Sequence, residues 1–272
     1  MKLTDLESYF ERIGYAGPRT PNLEVLSAIQ LHHTLAIPFE NLDPLLRRPV
    51  SLDTEALADK LLRAGRGGYC YEHGCLLLNV LDALGFTVTG LAARVLWNVP
   101  PGVVRPRSHM LLRVDLLDAI YVVDVGFGGL TPTAPLRLEP GIVQRTPHDT
   151  FRLVTRQWEF ILQAWMLEGW RSLYSFDLQP QLLPDYEAMS WYVANHPASH
   201  FVTNLLVAHN TPDARHVLND NQLGVYPVNG ATVRRTLGSA AQLRAALETT
   251  FGIRLPQTPE LEPVLARLAD TR

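Results

Sequence analysis

The stretch Arg66-Gly67-Gly68-Tyr69-Cys70-Tyr71-Glu72-His73-Gly74-Cys75 sets a cysteine behind two glycines and ahead of an apolar run, Leu76-Leu77-Leu78-Asn79-Val80-Leu81. The run predicts a helix that starts near Cys70. A cysteine at such a start faces unpaired backbone N–H groups and the positive end of the helix dipole, surroundings that favour an anionic sulfur. Sulfur in that form is a nucleophile. With an imidazole and a carboxylate beside it, the chemistry would be acyl transfer through a covalent intermediate.

His109 and Asp124 are the partners that the pattern offers. Residues 109–114 and 120–125 are apolar, strand-like arms around Asp115-Leu116-Leu117-Asp118. A tight turn centred there places His109 directly opposite Asp124 on one face of a hairpin, with Cβ atoms about 4.5–5.5 Å apart. That suits a carboxylate accepting from an imidazole N–H. A register slip of one residue would send the two side chains to opposite faces. Met110, Leu112, Val114, Tyr121 and Val123 fall on the reverse face, all apolar. A satisfied core histidine and an aspartate that merely ends a strand fit the same residues. Nothing local brings Cys70 to this hairpin; the helix start has to dock on it.

Composition narrows the alternatives. With 47% hydrophobic and 19% charged residues among 272 and a formal net charge of -3, the chain reads as globular. It has no electrostatic footprint for nucleic acid or an anionic membrane. The N-terminal residues 1–10 are acidic and amphipathic, without the apolar centre of a signal peptide. No apolar segment is long enough to span a bilayer. Two cysteines without an export signal indicate a reducing cytosol rather than a disulfide framework. Cys75, five positions after Cys70, reads as a small buried hydrophobe. Cys70-x-x-His73-x-Cys75 does not converge on one ion, so no metal is expected.

Up to about residue 85 the pattern is helical. Thr20-Pro21 predicts a cap and first turn for a helix with Leu23, Leu26, Ile29 and His33 on one side. Asp53 predicts the cap of a second, and a third runs from near Cys70 to Gly85. From Phe86 the period becomes two. Strands are expected at 86–89, 92–97, 109–114, 120–125, 151–154, 160–165 and 172–176, a succession that suggests a barrel or sandwich. Beyond Pro184 helix (185–195), strands (205–208 and 223–228) and a terminal helical portion (240–251) alternate.

Arg66 to His73 closely resembles the active-site motif of the arylamine N-acetyltransferase family, and three further motifs follow the same order. These are Ile37-Pro38-Phe39-Glu40-Asn41-Leu42, Ser108-His109-Met110 and Val123-Asp124-Val125-Gly126-Phe127-Gly128-Gly129. The likeness extends to Pro197-Ala198-Ser199-His200-Phe201 and is of the bacterial type, with no long insertion after the hairpin. It implies an α+β fold: a helical domain (1–85) carrying the nucleophile, an antiparallel β-barrel (86–190) carrying His and Asp, and an α/β lid (191–272). It also implies a cysteine-protease-like Cys–His–Asp triad of Cys70, His109 and Asp124.

The implied activity is acetyl-CoA-dependent N-acetylation of arylamines and hydrazines by a ping-pong route through an acetyl-cysteine, in the cytoplasm. Acetyl-CoA is then a co-substrate, contacted by Gly126, Phe127, Gly128 and Gly129. Phe39, Tyr69, Tyr71 and Phe201 are the candidates for stacking on a flat amine. The resemblance leaves room for a homodimer. One departure stands out: Gly74 occupies a position where the family usually has Asn, at a helix-propensity cost of ~1 kcal/mol relative to alanine. A thiol hydrolase or a transglutaminase-like acyltransferase would use the same residue order, and a silent binding module would use the same cleft.

Overall fold

The computed structural model describes residues 6–100 and 102–270; residues 1–5 of the amphipathic N-terminal stretch lie outside the described residues. Helices α1 (Leu6–Ile13) and α2 (Leu23–Ala36) lead into a short strand β1 (Phe39–Glu40) and helix α3 (Leu42–Leu45). Helix α4 (Thr54–Leu57) continues as a π-helical turn (Ala58–Arg63), and α5 (Cys70–Ala83) begins at the cysteine. The cap of α2 is Asn22 rather than Thr20: its side-chain oxygen accepts from the Val25 N–H at 2.9 Å, so Pro21 precedes the cap. Asp53 caps α4 as expected, and Gly85, with φ at 86°, takes the left-handed turn that ends α5.

Eight antiparallel strands follow: β2 (Thr87–Val95), β3 (His109–Asp115), β4 (Ile120–Val123), β5 (Leu136–Arg137), β6 (Val143–Arg145), β7 (Thr150–Arg156), β8 (Glu159–Met166) and β9 (Gly169–Phe176). Their order is β5-β4-β3-β2-β9-β8-β7-β6. The two edges meet through Gln144, whose side chain accepts from the Arg137 N–H (2.7 Å) and donates to the Arg137 carbonyl (3.0 Å), so the barrel is nearly closed. Leu91, Leu111, Val122, Phe151, Leu153 and Leu162 fill its interior.

The two strands expected at 86–89 and 92–97 are one strand, β2. Gly90 does not interrupt it. A Cβ there would sit 2.3 Å from the Tyr186 hydroxyl oxygen, so the glycine admits a neighbouring ring rather than a turn.

The chain finishes with α6 (Leu183–Asn195), α7 (His200–Thr203), strands β10 (Leu206–Thr211), β11 (Ala214–Asn219), β12 (Gln222–Pro227) and β13 (Val233–Thr236), then α8 (Ala240–Ala245) with a π-helical end (Ala246–Thr250), and α9 (Leu261–Ala269). Strands β11 and β13 and helix α9 were not expected. The four exposed residues of β13 and the half-exposed run in β11 lack clear alternation. The second sheet has the order β1-β10-β11-β12-β13, so a strand from the N-terminal helices joins the C-terminal sheet at Phe39 opposite Ala208. Its inner face, with Leu205, Val207, Leu218 and Leu223, packs on Leu243, Leu247 and Leu265.

The hairpin register differs from the expected one. Asp115 pairs with Ile120 and Leu112 with Val123, and the Leu116 N–H donates to the Ala119 carbonyl at 3.0 Å. The turn is therefore centred on Leu117 and Asp118, one position later than expected. The pairing shifts by two residues, and His109 and Asp124 become diagonal rather than directly opposite. A two-residue shift preserves the face, because the side-chain period of a strand is two.

Candidate active site

His109 is the first residue of β3 and Asp124 follows the end of β4, so both stand at the rim of the barrel. The His109 Nε2–H donates to the Asp124 Oδ2 at 2.8 Å, and the other carboxylate oxygen accepts from the Gly126 N–H at 2.9 Å. Both residues are buried. With Nε2 committed to the aspartate, Nδ1 is the remaining ring nitrogen, and the neighbouring Cys70 side chain favours the protonated ring. Burial by itself would pull the His109 imidazolium down. The Asp124 charge and hydrogen bond, with the contact to Cys70, outweigh it and raise His109 to about 10.

Cys70 opens α5, is 4% exposed, and has its Sγ 3.7 Å from the Ser108 carbonyl. What docks the helix start on the hairpin is Gly126. A Cβ on Gly126 would lie 2.6 Å from the Cys70 Cα, so only glycine lets the loop after Asp124 lie on the cysteine backbone. The loop behind Cys70 is fixed in the same manner. A Cβ on Gly67 would stand 2.0 Å from the Pro38 carbonyl oxygen, and the Glu40 N–H donates to the Gly68 carbonyl at 2.8 Å.

Behind Cys70 lies a buried ionic cluster that sequence reasoning missed. Arg66 bonds Glu40 (2.7 Å) and approaches Asp43 (3.3 Å), while Lys60 bonds Asp43 (2.7 Å) and Glu72 (2.6 Å). Glu72 also accepts from the Tyr69 N–H at 3.0 Å, capping α5 from within. Burial raises the Glu72 carboxyl while Lys60 opposes it. The sequence carried no local signal for it, because these charged residues stand among other charged residues of 37–75 and only the fold decides which of them are buried and must be paired.

A second buried chain was also missed. The Tyr9 hydroxyl is 3.0 Å from His33 Nδ1, His33 Nε2 is 2.9 Å from His73 Nδ1, and His73 Nε2 is 3.2 Å from the Pro38 carbonyl oxygen. That carbonyl can only accept, so each donor in the chain is determined: Tyr9 to His33, His33 to His73, His73 to Pro38.

Of the expected aromatic contacts, Phe39 and Phe201 are half-buried, with ring centroids 6.1 Å apart. Tyr69 and Tyr71 are 0% and 1% exposed and offer no open ring face. They pack edge to face on each other, Tyr69 against Phe201, Tyr71 against Tyr186. Phe127 lies edge to face on His109 at 5.1 Å. Gly128, with φ at 80°, borders Phe39, and Gly129 abuts Val217 of β11, so the 126–129 loop runs from the cysteine to the C-terminal sheet.

Cys75 is buried beside Met110, its Sγ 3.9 Å from the Met110 sulfur, and burial pushes its thiol up to about 12. A Cβ on Gly74 would come 2.6 Å from the same Met110 sulfur, so the glycine makes room for that thioether. Among the described residues no group of three or more His, Cys, Asp or Glu side chains is placed to hold a metal ion.

A helical layer, a nearly closed antiparallel barrel and a C-terminal sheet, with a cysteine, a histidine and an aspartate at their junction, define the class of thiol-centred α+β acyltransferase folds. The N-acetyltransferase family profile matches residues 22–259. An arylamine N-acetyltransferase of Mycobacterium bovis is 46% identical over 260 residues, covering 94% of this chain and 92% of that protein. The structure of the Mycobacterium marinum arylamine N-acetyltransferase superposes with a TM-score of 0.94 at 43% identity, covering 97% of this chain and 100% of that one. The same enzyme in complex with CoA gives 0.93, covering 97% of this chain and 99% of that one at 43% identity. The chain belongs to the arylamine N-acetyltransferase family.

Proposed function

We propose that this protein transfers an acetyl group from acetyl-CoA to the amino group of an arylamine or hydrazine, through an acetyl-cysteine on Cys70. The observation that carries the reading is an imidazole that donates its Nε2–H to Asp124 at 2.8 Å, with Cys70 held beside it by Gly126 and its Sγ 3.7 Å from the carbonyl of the preceding residue, Ser108. Asp124 holds the ring orientation and favours its charged form, which sets an imidazolium beside the Cys70 sulfur. Cys70 sulfur attacks the acetyl carbonyl, the bond to the CoA sulfur breaks, and His109 returns its proton to the departing thiolate. The amine then attacks the acetyl-cysteine. His109 accepts the amine proton while the S–C bond breaks, and the amide leaves. Two half-reactions through one covalent species give ping-pong kinetics.

The cofactor contacts fall to Gly126, Phe127, Gly128 and Gly129, since that loop touches Cys70, His109 and the C-terminal sheet in turn. Phe39 and Phe201 would line the amine site, with Tyr69 and Tyr71 packed behind them. In this reading residues 1–85 supply the nucleophile, 86–190 the base and carboxylate, and 191–272 the lid. The setting is the cytoplasm, no nucleic acid or membrane partner is involved, and a homodimer is compatible. Among the described residues no helix is long and apolar enough to cross a membrane.

Intact mass after mixing with acetyl-CoA tests the proposal. An acetyl adduct that disappears in Cys70→Ala, together with loss of arylamine acetylation, is the expected outcome. A Cys70→Ala variant acetylating an arylamine at the parental rate would end the reading. Absence of the adduct in the parent, with peptide or glutamine acyl donors accepted instead, would favour the thiol hydrolase or transglutaminase-like alternative.

A further inference from the structure

Gln30, on the buried side of α2, is 0% exposed and lies far from Asp124 in sequence. Its amide nitrogen donates to two main-chain carbonyls, those of Asp124 (3.1 Å) and Pro132 (2.8 Å). Those residues flank the segment 125–131, which contains Gly126, Phe127, Gly128 and Gly129. One amide group therefore ties together both feet of the loop that follows the carboxylate. Its orientation is determined, because both acceptors are carbonyl oxygens and only the NH2 end can face them. The Gln30 Oε1 is buried with no hydrogen-bond partner. Packing alone would be met better by leucine or methionine, which would carry no unpaired polar atom.

We propose that Gln30 is a positioning residue that clamps the 125–131 loop shut, holding the Asp124 carboxylate on His109 and Gly126 and Phe127 against Cys70 and the imidazole. The inference rests on the reading of Cys70, His109 and Asp124 as the reacting groups. Asp124 uses its two carboxylate oxygens on the Gly126 N–H and on His109, so its geometry depends on where its own main chain and Gly126 sit. Gln30 is the side chain that fixes that main chain from the helical side.

Gln30→Met keeps length and volume while removing both donors. The expected result is a fall of roughly ten- to a hundredfold in acetyl-enzyme formation, the scale of a displacement near 1 Å in a reacting geometry. The pH profile of Cys70 alkylation by iodoacetamide should also be displaced from the parent's. A folded Gln30→Met with lowered melting temperature but parental acylation rate and alkylation profile would make Gln30 merely structural and overturn the proposal.

Gln30→Glu keeps the test alive should the methionine variant fail to fold. Its protonated carboxyl can donate to one carbonyl, whereas its ionised form opposes two. Its acylation and alkylation rates relative to the parent should therefore decline as pH rises, and a pH-independent ratio would overturn the clamp. Failure of the underlying reading looks different: the parent itself would then form no acetyl adduct on Cys70. The alkylation profile reports on Gln30 without any acyl donor.

Discussion

His73 and His109 are both buried, lie within reach of the same helix start, and behave in opposite ways. On the helical side His73 donates to the Pro38 carbonyl and accepts from His33, with no carboxylate in its hydrogen-bond chain. Burial is its dominant influence and brings it down to about 4. On the barrel rim His109 suffers the same loss of solvent, yet Asp124 and Cys70 carry it up to about 10. Burial alone depresses an imidazole, and a buried carboxylate within hydrogen-bond reach reverses the sign. The helical side is built to keep imidazoles neutral and rigid. The barrel rim is built to hold an imidazolium beside a sulfur.

The contrast is broken most severely by Asp124→Asn, which leaves the ring in place but removes the charge that sustains it. Acetyl-enzyme formation should fall by about 10³–10⁴-fold, measured by intact mass against time.

Next in size is Lys60→Met, which strips the charge shared by Asp43 and Glu72 in the cluster behind Cys70. Leaving buried carboxylates uncompensated should cost about 3–5 kcal/mol in urea unfolding. The kinetic loss should be secondary to that destabilisation.

The two histidines also predict opposite pH arms for stability. His73 is lowered relative to an unfolded value of ~6.5, so the unfolded chain binds more protons between those values. Its contribution is present above about pH 6.5 and is lost as pH falls towards about 4. His109 is raised, so its contribution is present below about 6.5 and is lost as pH rises towards about 10. Urea midpoints between pH 7 and 4.5 should fall less steeply in His73→Gln than in the parent. An equal slope in both would remove His73 from the acid arm.

The smallest effect is expected at Gly74, where the family's usual Asn is absent and Met110 fills the space. Gly74→Ala gains helix propensity of ~1 kcal/mol but overpacks the thioether at about 1–3 kcal/mol, for a net loss near 1 kcal/mol. Adding Met110→Leu should recover part of that loss in a double-mutant comparison of unfolding free energies.

Much of the architecture was legible because its signals are local. Alternation marked six of the eight barrel strands (β2, β3, β4, β7, β8 and β9), Asp53 and Gly85 marked helix ends, and the Cys70 helix read directly from its glycines and apolar run. Misreadings came where a local signal served a distant neighbour. Gly90 looked like a break and is a seat for Tyr186, so that one strand read as two. The ionic cluster and the Tyr9–His33–His73 chain had no local signal beyond misplaced polarity, since their pairings cross long stretches of sequence.

By itself the amino-acid order determined which side chains share a strand face, where the Cys70 helix opens, and which three residue types stand in the motifs. Those features depend on periodicity and on backbone freedom within a few residues. Tertiary structure alone decided the diagonal pairing of His109 with Asp124, the contact of Gly126 with Cys70, and the grip of Gln30 on the loop between them. Each depends on how a turn closes or how a helix packs on a hairpin, and those outcomes are set by the volume and hydrogen bonding of the whole core.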